Sequence, residues 1–306
     1  MKKTFNYNSP FVRIICILFL LYLCFFMFRI AKEKQKVESF SQDKKFELRN
    51  NNTIFDRFYC DVYDQLIHDP NKIEYEINEI KRTTNINENS VIIDVGSGNG
   101  HHIGALHSEG IKSIGIDISN DMVKNSKKKY PNCDFKNGDF MTSFVKPKQL
   151  YTHILCMYFT IYYIKNKTKF FNKCFNILKN KGYLVLHLVN RDTFDPMISV
   201  SNPFVIVSPQ SVAKKRITKS AVTFEGFNYE SEFKPTYKKK NVALFEEKIT
   251  DNTTKNVRKN IHTLFMETQH NIIQIALKAG FLLEGKIDLT PVQYENQYLY
   301  ILYKSN

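Results

Sequence analysis

Residues 91–100 read VIIDVGSGNG. Four branched apolar side chains, Val91, Ile92, Ile93 and Val95, surround one acid, Asp94. A run with no polar face predicts a short strand covered on both sides, as in a parallel sheet. Gly96, Gly98 and Gly100 then recur at every second position. Glycine in such a turn permits positive φ and lets the main chain come close to a ligand. The next segment offers Ile103, Ala105 and Leu106 as buried positions and Gly110 as a helix stop. The predicted unit is strand, glycine turn, helix.

Two ligand classes use such a unit. A dinucleotide fold wants G-x-G-x-x-G, but this spacing is G-x-G-x-G and His101 follows. A P-loop wants Lys after its last glycine, and none follows Gly100. The acid Asp94 beside the turn suits a cationic or neutral ligand better than a diphosphate. S-adenosylmethionine carries a sulfonium and an ammonium, so it fits. The stretch resembles motif I of the class I S-adenosylmethionine-dependent methyltransferases. That resemblance implies an α/β Rossmann-like seven-stranded sheet with helices on both faces and an antiparallel last strand.

The following segments agree with it. KSIGIDIS forms a second strand whose tip, Asp117 beside Ile118, lies 21 residues after Gly96. An acid there can accept both ribose hydroxyls, although Asp117 is also placed to be a helix-cap neighbour. CDFKNGDF supplies a third strand and a tight turn. In the family this resembles, an acid at Asp139 accepts from the adenine amino group and an apolar neighbour, Phe140, packs on the ring. The fourth strand ends near Met157 and Tyr158, where class I enzymes place the methyl group and the acceptor. It begins with Thr152 and His153 where the family often has Asp, and Lys181 replaces a usual glycine before strand five. The resemblance makes Asp94, Gly96, Ser97, Gly98 and Gly100 the methionine cradle. It covers residues 91–190 strongly, and the closing hairpin around LLEGKIDL and NQYLYILYK less so.

The N-terminus has a different character. Phe11 to Ile30 is almost wholly apolar, and Ile14 to Phe28 is uninterrupted. Eighteen helical residues would span about 27 Å, against a hydrocarbon core of about 30 Å. No small-residue cleavage site follows. The expectation is therefore a short tail over 1–10, a transmembrane helix over 11–30, a linker over 31–52 and a methyltransferase domain over 53–306. Lysines are in excess after the helix, which by the positive-inside rule places a single-pass protein with its domain in the cytosol. Of the formal charge of +14, residues 1–50 carry +6, so much of the basicity needs no nucleic acid. The six cysteines contain no C-x-x-C pair, so neither a metal site nor a disulfide framework is expected.

Substrate choice should lie elsewhere. Before the first strand, an aromatic helix carries Tyr63-Asp64, a pair that class I enzymes often hold over the pocket. After the fourth strand, Tyr162 and Tyr163 open a helix above the carboxyl ends of the strands, where open α/β sheets bind ligands. Tyr63, Tyr158, Tyr162 and Tyr163 are thus the acceptor-pocket candidates, with at least one of the adjacent pair expected in the core. Residues 191–260 form an insert whose alternation in Val222, Phe224, Phe227, Tyr229 and Phe233 predicts a small antiparallel sheet. His262 has no partner that the sequence assigns. The reading is a membrane-anchored S-adenosylmethionine-dependent methyltransferase acting on a small or lipid-like acceptor. No residue is singled out as catalytic, and no N/D-P-P-[FY/W] motif supports a nucleic-acid acceptor. The alternative is a catalytically inactive S-adenosylmethionine-binding protein, or a scaffold without turnover, at a membrane.

Overall fold

The computed structural model describes residues 10, 14, 16–24, 45–142, 150–196, 210, 213–236 and 241–305. The chain divides into two compact units, Met1–Ser41 and Gln42–Asn306.

In the first unit, residues 16–24 are helical and exposed. At the helical rise they span about 14 Å, which is about half of a hydrocarbon core. No helix among the described residues is long and apolar enough to cross a membrane. This corrects the transmembrane helix expected over 11–30, together with the single-pass localisation and cytosolic placement built on it. Apolar composition suggested a span, but the described helix lacks the length. Residues 1–9, 11–13, 15 and 25–44, which hold the rest of the expected tail, anchor and linker, lie outside the described residues.

The second unit opens with β1 (Phe46–Asn50), inside the stretch expected as a linker. Two helices follow. In α1 (Arg57–Ile67) the Asp56 side chain accepts from Tyr59 N, and Tyr59, Val62 and Leu66 are buried on one side. In α2 (Pro70–Thr84) Asp69 caps the start, Pro70 occupies the first turn, and Asn85 in the left-handed region ends it.

The main sheet contains β2 (Val91–Val95), β3 (Lys112–Asp117), β4 (Asp134–Asn137), β5 (Tyr151–Cys156) and β6 (Leu178–Val189), which run parallel in the order β6-β5-β2-β3-β4. Beyond β6 come β12 (Gln297–Tyr303), antiparallel to it, and the edge strand β11 (Leu282–Asp288). This is the expected seven-stranded Rossmann-like sheet with its last strand inserted antiparallel. Successive residues on β2, β5 and β6 face opposite layers. Ile93, Ile154 and Leu184 pack with Phe170 and Phe171 of α4 (Lys167–Ile177) and Ile272 of α5 (Gln269–Lys278). Ile92, Leu155 and Val185 pack on the other face with Ile73, Ile77 and Ile80 of α2 and with Leu106 of α3 (His101–Ser108). Burial on both faces explains why these strands read as continuous apolar runs.

The insert forms a second sheet. β7 (Lys219–Thr223), β8 (Phe227–Pro235), β9 (Val242–Asp251) and β10 (Val257–Phe265) form an antiparallel meander, and β1 adds parallel to the free edge of β10. β10 continues past residue 260, where the insert was expected to end. Burial alternates residue by residue along β8 and β10, so the sheet has one inner face.

Arg258 on that inner face fastens the sheet to α1. It is 1% exposed, donates to both Asp56 carboxylate oxygens at 2.9 and 2.8 Å, to Ile54 O at 2.7 Å and to Asn260 Oδ1 at 2.9 Å. Arg258→Ala should destabilise the domain by about 3 kcal/mol, the lower end for breaking a buried pair, because Asp56 keeps partial contact with water. In a thermal melt this should appear as a Tm lowered by roughly 6–12 °C. An unchanged Tm would mean that the pair does not hold the two elements together.

Candidate functional site

The glycine turn sits at the carboxyl end of β2. Gly96, Gly98 and Gly100 have φ of 71°, 52° and 82°. Gly96 N and Ser97 N both donate to Ile116 O of β3, at 2.8 and 3.2 Å, which locks the turn against the neighbouring strand. A Cβ on Gly96 would stand 2.6 Å from the Thr160 side chain, and one on Gly100 would stand 2.6 Å from the Phe135 ring. A Cβ on Gly98 would meet no described atom within 4 Å, because that side opens into a cavity. The three glycines therefore have different reasons. Gly96 and Gly100 are forced by close packing as well as by φ, while Gly98 keeps the cradle open.

The cavity has a volume of about 690 Å³. Of the cofactor residues expected from sequence, Asp94, Gly96, Ser97, Gly98, Asp117, Ile118, Asp139, Phe140 and Met157 line it, and Gly100 does not. Of the acceptor candidates, Tyr63, Tyr158 and Tyr163 line it. Tyr162 does not: it is fully buried in the core and its hydroxyl accepts from Val189 N at 2.9 Å.

Two carboxylates mark the cofactor half. Asp117 Oδ2 accepts from Gly98 N and Oδ1 from Ser119 N, each at 2.8 Å. Burial raises its carboxyl pKa, and these two N–H groups oppose the rise. Its second lone pairs stay available to hydroxyls. Asp94 is 2% exposed, and its Oδ1 has no hydrogen-bond partner among the described residues. Burial pushes its pKa up to about 7. Ser97 Oγ is likewise buried without a partner. Unsatisfied buried polar atoms are costly, so atoms aimed at a cavity point to a polar ligand.

Behind this half lies a charged cluster that the sequence did not disclose. Lys72 Nζ and Glu76 Oε1 are 2.6 Å apart with both side chains fully buried, and Glu76 Oε2 is 2.9 Å from His102 Nε2. Burial raises the Glu76 carboxyl, but Lys72 and His102 outweigh it and hold its pKa at about 2. Lys72 Nζ also lies 3.9 Å from the centroid of the Tyr158 ring.

The other half of the cavity is roofed by the inner face of the insert sheet. Phe233, Phe245, Glu247, His262 and Leu264 line it from β8, β9 and β10, facing Phe55, Tyr59, Tyr63, Tyr163 and Phe194. Glu247 is 2% exposed and accepts four hydrogen bonds: from Tyr59 Oη at 2.9 Å, Tyr229 Oη at 2.8 Å, Asn260 Nδ2 at 3.0 Å and His262 Nε2 at 2.7 Å. His262 Nδ1 in turn lies 2.6 Å from Tyr163 Oη. His262 thus has partners after all, and sequence reasoning missed Glu247, which lines the cavity, and Asn260, which donates to that carboxylate from β10. The signal was partial: Phe245, Glu247 and Ile249 share one strand phase, which puts an acid on a buried face.

Comparison with known proteins bears on the same elements. A family model described as a methyltransferase domain matches residues 86–264, which is more than half of the chain. The methyltransferase candidate 235L of Invertebrate iridescent virus 6 is 34% identical over 104 residues, covering 33% of this chain and 38% of that protein's length. A S-adenosylmethionine-dependent methyltransferase from Clostridium acetobutylicum superposes with a TM-score of 0.62 at 14% identity, over 81% of this chain and 98% of the other. CalS10 of Micromonospora echinaspora, an amino pentose methyltransferase solved with S-adenosylmethionine bound, gives 0.54 at 15% identity, over 76% and 91%. These structures share the fold. The domain match shows that the chain belongs to the methyltransferase-domain family, and its fold is the one these S-adenosylmethionine-dependent methyltransferases share.

Proposed function

We propose that this chain transfers a methyl group from S-adenosylmethionine to a small-molecule acceptor held between the seven-stranded sheet and the insert sheet. The observation that carries this reading is that one continuous cavity joins two unlike halves. Its one half has the glycine turn and three acids, and its other half has aromatic rings under a sheet. A volume of about 690 Å³ lies in the range of small-ligand sites. In this reading Asp94, Gly96, Ser97 and Gly98 hold the methionine part, Asp117 and Ile118 the ribose, and Asp139 with Phe140 the adenine. When bound, S-adenosylmethionine supplies an electrophilic methyl group. The chain's own contribution is to place the acceptor in line with it and to exclude water, which alone lowers the barrier substantially. Tyr63, Tyr158 and Tyr163 border the place where the two halves meet.

Calorimetry of S-adenosylmethionine with the full chain tests the reading. Wild type should bind at micromolar Kd, and Asp117→Ala should bind at least about tenfold more weakly, the loss of one charge-assisted hydrogen bond. A folded wild type that does not bind would leave the scaffold alternative in front.

Asp94 adds a pH dependence. Its folded-state pKa is raised to about 7 from 3.8, so between these values the folded chain keeps a proton that the unfolded chain has lost, and rising pH lowers stability. Binding of a cationic ligand beside Asp94 favours the carboxylate and must release that proton. Affinity should therefore rise up to about tenfold per pH unit from about pH 5 to about pH 7 and then level off. In Asp94→Asn the slope should vanish. A wild-type affinity that is flat across this window would place the cation away from Asp94.

A further inference from the structure

Glu247, His262 and Tyr163 line the acceptor half and take no part in holding the cofactor. Their hydrogen bonds have a direction. Glu247 is a carboxylate that only accepts, so His262 Nε2 carries a hydrogen and donates it. His262 Nδ1 is then a free lone pair facing Tyr163 Oη at 2.6 Å, and Tyr163 donates to it. The tautomer is set by the neighbours, as it is wherever a carboxylate holds one imidazole nitrogen. The other groups facing His262 are the Phe55, Tyr59 and Phe245 rings, with centroids 6.0, 6.2 and 5.6 Å away. Tyr59 is itself committed to Glu247. Tyr163 is therefore the outer end of a chain whose inner end is a buried anion.

We propose that Tyr163 and His262 are a proton relay for an acceptor hydroxyl on an aromatic ring, with Glu247 as the positioning residue. This rests on the methyl-transfer reading given above. The acceptor oxygen bonds to the methyl carbon as the carbon–sulfur bond breaks and its electron pair goes to sulfur. The acceptor proton passes to Tyr163 Oη while the Tyr163 proton passes to His262 Nδ1. Tyr163 ends neutral, and the positive charge that leaves sulfur ends as an imidazolium beside the Glu247 carboxylate. Burial holds the Tyr163 phenol well above its ordinary pKa, so it hands a proton on and does not keep the phenolate. An aromatic hydroxyl ordinarily ionises near pH 10 and gains most from such a base. The surrounding Phe55, Phe194, Phe233 and Phe245 rings suit a flat apolar body.

The probe is 4-nitrophenol, whose phenolate alone is coloured. It is titrated into the full chain saturated with S-adenosylhomocysteine, at a pH where the free probe is neutral. Wild type should bind the probe as phenolate. His262→Gln, Tyr163→Phe and Glu247→Gln should bind S-adenosylhomocysteine with unchanged affinity, which shows that they are folded, and should lose the phenolate band. With S-adenosylmethionine, methylation of the same phenol should fall about 10²–10⁴-fold in His262→Gln. The relay is overturned if S-adenosylhomocysteine binds but the probe does not, if the probe binds only as neutral phenol, or if the variants keep the band. Failure to bind either S-adenosylmethionine or S-adenosylhomocysteine would instead overturn the methyl-transfer reading, and the relay with it.

Discussion

A carboxylate taken out of water needs donors for its lone pairs, and the demand of Glu247 organises the acceptor side of this protein. Four groups reach it: Tyr59 from α1, Tyr229 from β8, and Asn260 and His262 from β10. Burial alone would raise its pKa, but His262, Asn260 and Tyr229 reverse that and lower it. Any displacement of the insert sheet from α1 would strip donors from a buried charge, a loss worth several kcal/mol. Arg258, two residues before Asn260 on the same inner face, ties the same two elements through Asp56. The roof of the cavity is thus fixed by polar contacts as much as by apolar ones.

The cofactor side obeys a different constraint. There the main chain does most of the work, through positive φ at the glycine turn and through N–H groups that tie it to Ile116 and Asp117. The acids are set by strand ends: Asp117 ends β3, and Asp139 follows β4 by one turn. The two halves of the cavity meet at the end of β5, where Met157, Tyr158 and Thr160 separate cradle from roof. Tyr158 is held in the left-handed region with φ of 50°, and its hydroxyl donates to Ile67 O at 2.8 Å. A non-glycine residue in that region is strained, and such strain tends to collect at functional sites.

The parts legible in the sequence are those governed by local rules. VIIDV read as a strand buried on both faces and the glycines after it as a turn, and the resemblance to motif I then implied which residues form the cradle. The insert's strands were readable from alternation that includes Tyr229 and Phe233, and both of these are buried. What sequence could not supply is register between distant strands. Glu247 stands opposite Asn260, and Phe245 opposite His262, because of the β9–β10 pairing, and no local pattern encodes that. Adjacent tyrosines 162 and 163 had equal claims until the helix phase sent one to the core and one to the cavity. β1 was missed because its exposed, alternating residues have no reason to be a strand until β10 offers an edge. The apolar N-terminal segment was over-read for the opposite reason: composition alone was taken as sufficient for a membrane span.

The central claim is that one cavity holds the cofactor with its sulfur turned toward the aromatic half. A crystal structure of the full chain with S-adenosylhomocysteine tests it most directly. Adenine should lie beside Asp139 and Phe140, ribose hydroxyls on Asp117, the amino group near Asp94, and the sulfur facing Tyr158 and Tyr163. Ligand bound outside this cavity, or with its sulfur turned away from the insert sheet, would contradict it.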